Sequence, residues 1–160
     1  MTELVWITLA LPLLGVALLA IFGNKLPARG AGLLASLIML AAFGAATVAL
    51  ILLASKPEDQ RQVTETAWTW LSAGDFRVGF DIWFDQLTAL MLMVVTGVGF
   101  LIHVFSIGYM KGDTQERRFF AYMNMFVFSM LVLVVSGNLV QLLIGWGLVG
   151  LSSYLLIGFW

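Results

Sequence analysis

Among the Asp, Glu, Lys, Arg and His residues, only His103 lies well inside an apolar run. It falls about seven residues before a basic stretch that begins at Lys111, so roughly 10 Å from the nearer end of a helix rising 1.5 Å per residue. An ionisable group at that depth in hydrocarbon is a functional candidate by default, and imidazole, which titrates near neutrality, suits proton transfer. The competing reading is a neutral imidazole that donates one hydrogen bond to a backbone carbonyl or to a serine of a neighbouring helix, and the sequence leaves both open. Asp85 stands at the edge of the same run, where a carboxylate either caps the helix N-terminus or marks the mouth of an ion path. Further on, Gln141, Ser152, Ser153 and Tyr154 offer uncharged hydrogen-bonding groups that could line a polar path. At 3.6 residues per turn, Gly147, Gly150, Tyr154 and Gly158 fall along one stripe, which equally allows close approach of another helix.

Several chemistries are excluded by residue type. The chain has no cysteine, hence no disulfide, thiolate nucleophile, cysteine-ligated zinc or iron–sulfur cluster of its own. Its single histidine argues against a haem pair or a multi-histidine metal site. A net charge of −1 gives no basic surface for nucleic acid. The glycine pairs Gly97/Gly99 and Gly145/Gly147 lie inside apolar runs and follow no strand, so no bound nucleotide is expected. Met91, Met93, Met110, Met123, Met125 and Met130 read as core filler, and Arg117 and Arg118 as anchors at a membrane interface.

The elements that must position these groups are membrane helices. In 160 residues, 61% are hydrophobic and 11% charged, with a mean hydropathy of +1.01, which is far from a soluble composition. Five apolar runs, Leu4–Gly23, Ala31–Ala54, Leu87–Met110, Phe119–Val135 and Leu139–Trp160, each approach the roughly 20 residues needed to span hydrocarbon. Glu3 stands where a secretory signal would be positive, and the first run has the length of a span, so it is expected to remain as a helix, with a kink allowed at Pro12. Basic residues concentrate in the breaks 24–30 and 111–118, which places these loops in the cytoplasm and the N-terminus, the 55–86 segment and the 136–138 turn outside. Within 55–86, Phe76, Val78, Phe80, Ile82 and Phe84 alternate with Arg77, Gly79, Asp81 and Trp83, while Glu65–Leu71 supplies a partner strand and 72–75 a turn. An external β-hairpin follows, and because an isolated hairpin is only marginally stable it should dock on the helix ends or on a neighbouring subunit. The expected fold is all-α integral membrane, with about five transmembrane helices and this hairpin between the second and third, organised as 1–54, 55–86 and 87–160.

Four stretches in fixed order carry a resemblance that covers essentially the whole chain. These are Trp68-Thr-Trp70 with Gly74-Asp75-Phe and Gly79-Phe80; Thr96-Gly-Val-Gly-Phe-Leu-Ile-His103-Val; Arg118-Phe-Phe-Ala-Tyr122-Met-Asn124-Met-Phe; and Gly137-Asn138-Leu with Gly145-Trp146 and Val-Gly150-Leu-Ser-Ser-Tyr154-Leu-Leu-Ile-Gly-Phe. The chain resembles the beginning of the large antiporter-like subunit family of proton-pumping NADH:quinone oxidoreductase, called subunit L in bacteria and subunit 5 in mitochondria. The resemblance implies a membrane-arm subunit of an enzyme, taking part in proton translocation coupled to NADH oxidation and quinone reduction. It implies no cofactor in this chain, with NADH, FMN, iron–sulfur clusters and quinone elsewhere in the complex. Its partners would be other membrane-arm subunits and the lipid bilayer, and its location the bacterial inner membrane. Members are much longer, so the chain looks like an N-terminal portion without the pumping lysines and the lateral helix. In the family a glutamate follows the tryptophan of the fifth-helix motif and pairs with one of those lysines; here the position is Gly147. A multisubunit sodium/proton antiporter subunit and a non-conducting scaffold are the alternative readings.

Overall fold

The computed structural model describes residues 1–26, 30–74 and 76–160; the tight turn expected around Pro27 and Arg29, and Asp75 of the hairpin turn, lie outside them. The order is α1 (Thr2–Phe22), α2 (Gly30–Ala54), β1 (Val63–Ala73), β2 (Phe76–Phe84), α3 (Gln86–Tyr109), α4 (Glu116–Val134) and α5 (Leu139–Ile157), with short 3-10 turns at Gly23–Lys25 and Glu58–Gln60. All five helices are long and apolar enough to cross a membrane, and α1 runs uninterrupted through Pro12. The described boundaries differ from the expected ones by up to three residues, since backbone hydrogen bonding rather than the edge of the apolar run defines them, with side-chain caps at the starts of α3 and α5.

The helices pack through small residues, as they must where no water drives their association. α2 packs against α1 and α3, and α4 against α1 and α5. On its buried face α2 offers Ala35, Ala42, Ala46 and Ala49. Glycines mark the closest approaches: a Cβ on Gly32 would stand 2.9 Å from both Ile107 and Phe120, one on Gly97 2.9 Å from Phe43, and one on Gly145 2.8 Å from the Leu133 backbone. The last fixes the α4–α5 crossing. Only Met110 of the six methionines read as core filler is buried, since Met91 faces outward and the others are partly covered.

The hairpin forms as the alternation implies. β1 and β2 pair antiparallel from Val63 opposite Phe84 to Ala73 opposite Phe76, with register irregularities between Thr66 and Trp68 and between Thr69 and Leu71. Gly74 in the turn takes φ +61°, a conformation that side-chain-bearing residues rarely adopt. Val78, Ile82 and Phe84 are buried, whereas Trp68 and Trp70 stay largely exposed. Of the two docking places expected, the helix ends are used: the Trp83 N–H donates to Val135 O at 2.9 Å, and the Gly137 N–H to Asp81 O at 3.1 Å. On the other flank Phe80 stacks between Trp68 and Trp6, with ring centroids 4.9 and 5.8 Å away. Arg61 donates to the carbonyls of Ala54 and Lys56, closing the C-terminal end of α2.

Candidate functional site

His103 is completely buried on α3, facing α2 and α4, and its ring lies 6.1 Å from that of Phe120. Its Nδ1 stands 2.7 Å from Gly99 O. A carbonyl oxygen only accepts, so Nδ1 carries a proton, and in the neutral ring Nε2 presents a bare lone pair. Among the described residues Nε2 has no hydrogen-bond partner. The backbone bond of the neutral reading is thus present, to a carbonyl of its own helix rather than of a neighbouring one, and the other nitrogen is buried without a partner. Neighbouring polar groups occupy nearby turns: Ser36 on α2 and Asn124 on α4 are buried, the Asn124 Nδ2 donating to Phe120 O at 3.0 Å. The Oδ1 of Asn124 faces Gly15 of α1, where a Cβ would come within 2.7 Å of it, so only glycine leaves room for the amide.

The fifth helix separates the residues that the sequence groups together. Gly147 is exposed, and a Cβ there or at Gly150 would meet nothing within 4 Å. Trp146 and Tyr154 are likewise exposed. The stripe thus turns away from these helices, and the glycine that brings α5 onto α4 is Gly145. The uncharged polar residues do not share one path either. Ser152 is buried against Ser129 of α4 with the hydroxyl oxygens 3.2 Å apart, Gln141 engages the hairpin, and Tyr154 points outward.

A second polar cluster, not anticipated from the sequence, sits where the hairpin meets the start of α5. Asp81 of β2 accepts from Thr66 Oγ1 at 2.6 Å and from Asn138 Nδ2 at 2.8 Å, while its own N–H donates to Gln141 Oε1 at 2.9 Å. Asn138 also caps α5, its Oδ1 accepting from the Gln141 N–H at 2.9 Å, and donates to Gly79 O at 2.8 Å. An Asn directly before an apolar run was a legible capping signal. Asp81 was not legible, because its place in the alternation is that of a solvent-facing strand residue. Beside this cluster a cavity of about 290 Å³ opens between Trp68, Trp70, Phe80, Gln141 and Ile144. Asp85 caps α3 as expected, accepting from the Thr88 N–H at 2.8 Å and from the Trp83 indole at 3.1 Å. Partial burial alone would raise this carboxyl, but the bonds from Thr88 and Trp83 outweigh it and hold it below the usual carboxylate value. At the opposite end Arg118 bonds the Tyr122 hydroxyl at 2.6 Å and Gln115 at 3.1 Å, and Arg117 lies against Gly23. No group of three or more His, Cys, Asp or Glu that could hold a metal ion occurs among the described residues.

Comparison with known proteins places these features in context. Residues 70–120 match the family model described as NADH-ubiquinone oxidoreductase (complex I), chain 5 N-terminus. The chain is 44% identical over 159 residues to NADH-quinone oxidoreductase subunit L of Mycobacterium tuberculosis H37Rv, covering 99% of this chain and 25% of that protein. It is 42% identical over 155 residues to subunit L of Escherichia coli K12, and 39% over 154 residues to NADH-ubiquinone oxidoreductase chain 5 of Metridium senile, in each case 96% of this chain and 25% of the relative. The chain thus spans about a quarter of the length of these relatives.

Proposed function

From the premise that this chain is a homologue of the N-terminal quarter of the subunit L/chain 5 family of NADH:quinone oxidoreductases, we propose that it forms the opening bundle of a membrane-arm subunit. In this reading the subunit takes part in proton translocation driven by NADH oxidation and quinone reduction carried out elsewhere. The observation that carries the proposal is similarity over 99% of the chain to a subunit of that complex. The chain's own part is to hold five helices in register, to pin the outer hairpin onto them, and to present α5 to whatever packs beyond it. Its partners are other membrane-arm subunits and lipid, the redox cofactors belong to other subunits, and the three units 1–54, 55–86 and 87–160 serve as anchor, external clamp and start of the ion-translocating module. The membrane is the bacterial inner membrane with the hairpin outside, as the basic loops direct.

Two positions bear on proton movement. His103 is the one buried imidazole, and its uncommitted Nε2 is where a proton could be taken up or handed on. Gly147 is the position at which the family resemblance places a glutamate, and glycine offers no group through which a proton can step. A buried carboxylate needs a partner, so its absence leaves that partner unpaired. The outward side of α5 at Gly147 is free of contacts from these helices, and a longer side chain fits there without displacing them. In the full-length protein within the assembled complex, Gly147→Glu raises proton pumping into membrane vesicles at matched assembly, and His103→Ala lowers it. Equal pumping by the parent protein and the Gly147→Glu variant removes this position from the proton path. If His103→Ala is also silent, the non-conducting scaffold reading replaces the pump.

A further inference from the structure

We infer that His103 and Ser36 together hold an ordered water molecule inside the membrane bundle, about two turns from the neighbouring ends of α2 and α3, as a built binding site. The antiparallel packing of α2 on α3 fixes their relation. Gly32, one turn before Ser36, meets Ile107, one turn after His103; Met39, just beyond Ser36, meets Gly99, one turn before His103. Ser36 and His103 therefore stand level with each other on facing helices. Both are buried, at 5% and 0% exposure. Ser36 Oγ and His103 Nε2 are each without a hydrogen-bond partner among the described residues, and so they do not bond each other.

The chemistry of the pair selects the ligand. Because Nδ1 spends its proton on Gly99 O, Nε2 can only accept, whereas the Ser36 hydroxyl can donate and accept. Whatever lies between them must offer a hydrogen to Nε2 and can take one from Ser36. An anion would bury an uncompensated charge beside the bare lone pair of Nε2. A metal cation would be buried between two helices, α2 and α3, that carry no carboxylate, and an uncompensated charge there is prohibitive. Water meets both requirements without charge. Gly32 and Gly99 let α2 and α3 approach closely on this layer, where a Cβ would stand 2.9 Å from Ile107 and 3.2 Å from Met39, and Ala35 and Ser106 complete it with small side chains. Two uncommitted polar atoms in hydrocarbon otherwise go unsatisfied, which membrane helices do not tolerate well.

The test is density around His103 in the full-length, assembled complex, at a resolution where waters are visible. The expected result is a peak about 2.7–3.2 Å from both Nε2 and Ser36 Oγ, which weakens or disappears in Ser36→Ala while α2 and α3 stay in place. A direct Oγ to Nε2 bond, another side chain on Nε2, an empty gap, or a peak that Ser36→Ala leaves unchanged would each overturn the site. The water is independent of pumping: silent pumping variants leave it standing, and its absence leaves the pumping test untouched.

Discussion

Replacing Asn138 separates two jobs that the structure gives to one side chain. Its Oδ1 caps α5 through the Gln141 N–H, and its Nδ2 ties β2 down through Asp81 Oδ2 and Gly79 O. The cap contributes about 1 kcal/mol. The tie to a carboxylate contributes about 1.5–3 kcal/mol and the bond to a carbonyl about 1 kcal/mol, with less than full additivity because the residue is only half-buried. Asn138→Ala should therefore weaken docking of the hairpin by about 3 kcal/mol, and Asn138→Ser, which keeps a capping oxygen but cannot reach β2, by about 2 kcal/mol. Asn138→Asp keeps the cap but sets a second carboxylate against Asp81, so it should damage the tie as badly as alanine. Amide hydrogen exchange in the assembled complex reads the two jobs separately. The Gln141 amide reports the cap, and the Gly137 amide, bonded to Asp81 O, reports the tie. In Asn138→Ser, Gln141 should stay protected while Gly137 exchanges roughly 30-fold faster, the factor that corresponds to about 2 kcal/mol. If serine, alanine and aspartate all leave Gly137 at its wild-type rate, the hairpin is held by its apolar face alone and the polar clamp contributes nothing.

Three further outcomes follow from particular contacts. Gly145→Ala places a methyl 2.8 Å from the Leu133 backbone and should destabilise the α4–α5 pair by about 1–3 kcal/mol, whereas Gly147→Ala meets nothing in these helices; thermal unfolding of the purified complex should separate the two. The Asp85 carboxyl is depressed in the folded state, so its capping contribution is complete above the ordinary carboxylate range and is lost as pH falls through the depressed value. Protection of the Thr88 amide should decline on acidification, and Asp85→Asn, which caps without titrating, should remove that decline. A cysteine introduced as Ser72→Cys should react with an impermeant reagent applied to intact cells and Thr114→Cys should not; the reverse pattern overturns the orientation drawn from the basic loops.

Composition and periodicity determined the class of this protein. Five apolar runs of spanning length can be satisfied in a bilayer only as helices, and alternation in 76–84 can bury one face only as a strand, so both were legible residue by residue. The cap at Asp85 was legible too, because it depends on neighbours within one turn. What the sequence could not decide was which side of each helix meets which partner. The stripe of Gly147, Gly150, Tyr154 and Gly158 is a correct reading of one helical face, yet that face looks outward, and Gly145 alone makes the close crossing, since the direction of α5 is set by the Asn138 cap and by Leu133 on another helix. Asp81 likewise reads as a solvent-facing strand residue until the fold brings Asn138 and Gln141, 57 and 60 positions away, against it. His103 shows the same division: its depth followed from counting residues, but the commitment of Nδ1, the open Nε2 and the level Ser36 arise from antiparallel packing of two helices, a relation between distant segments that no local pattern encodes.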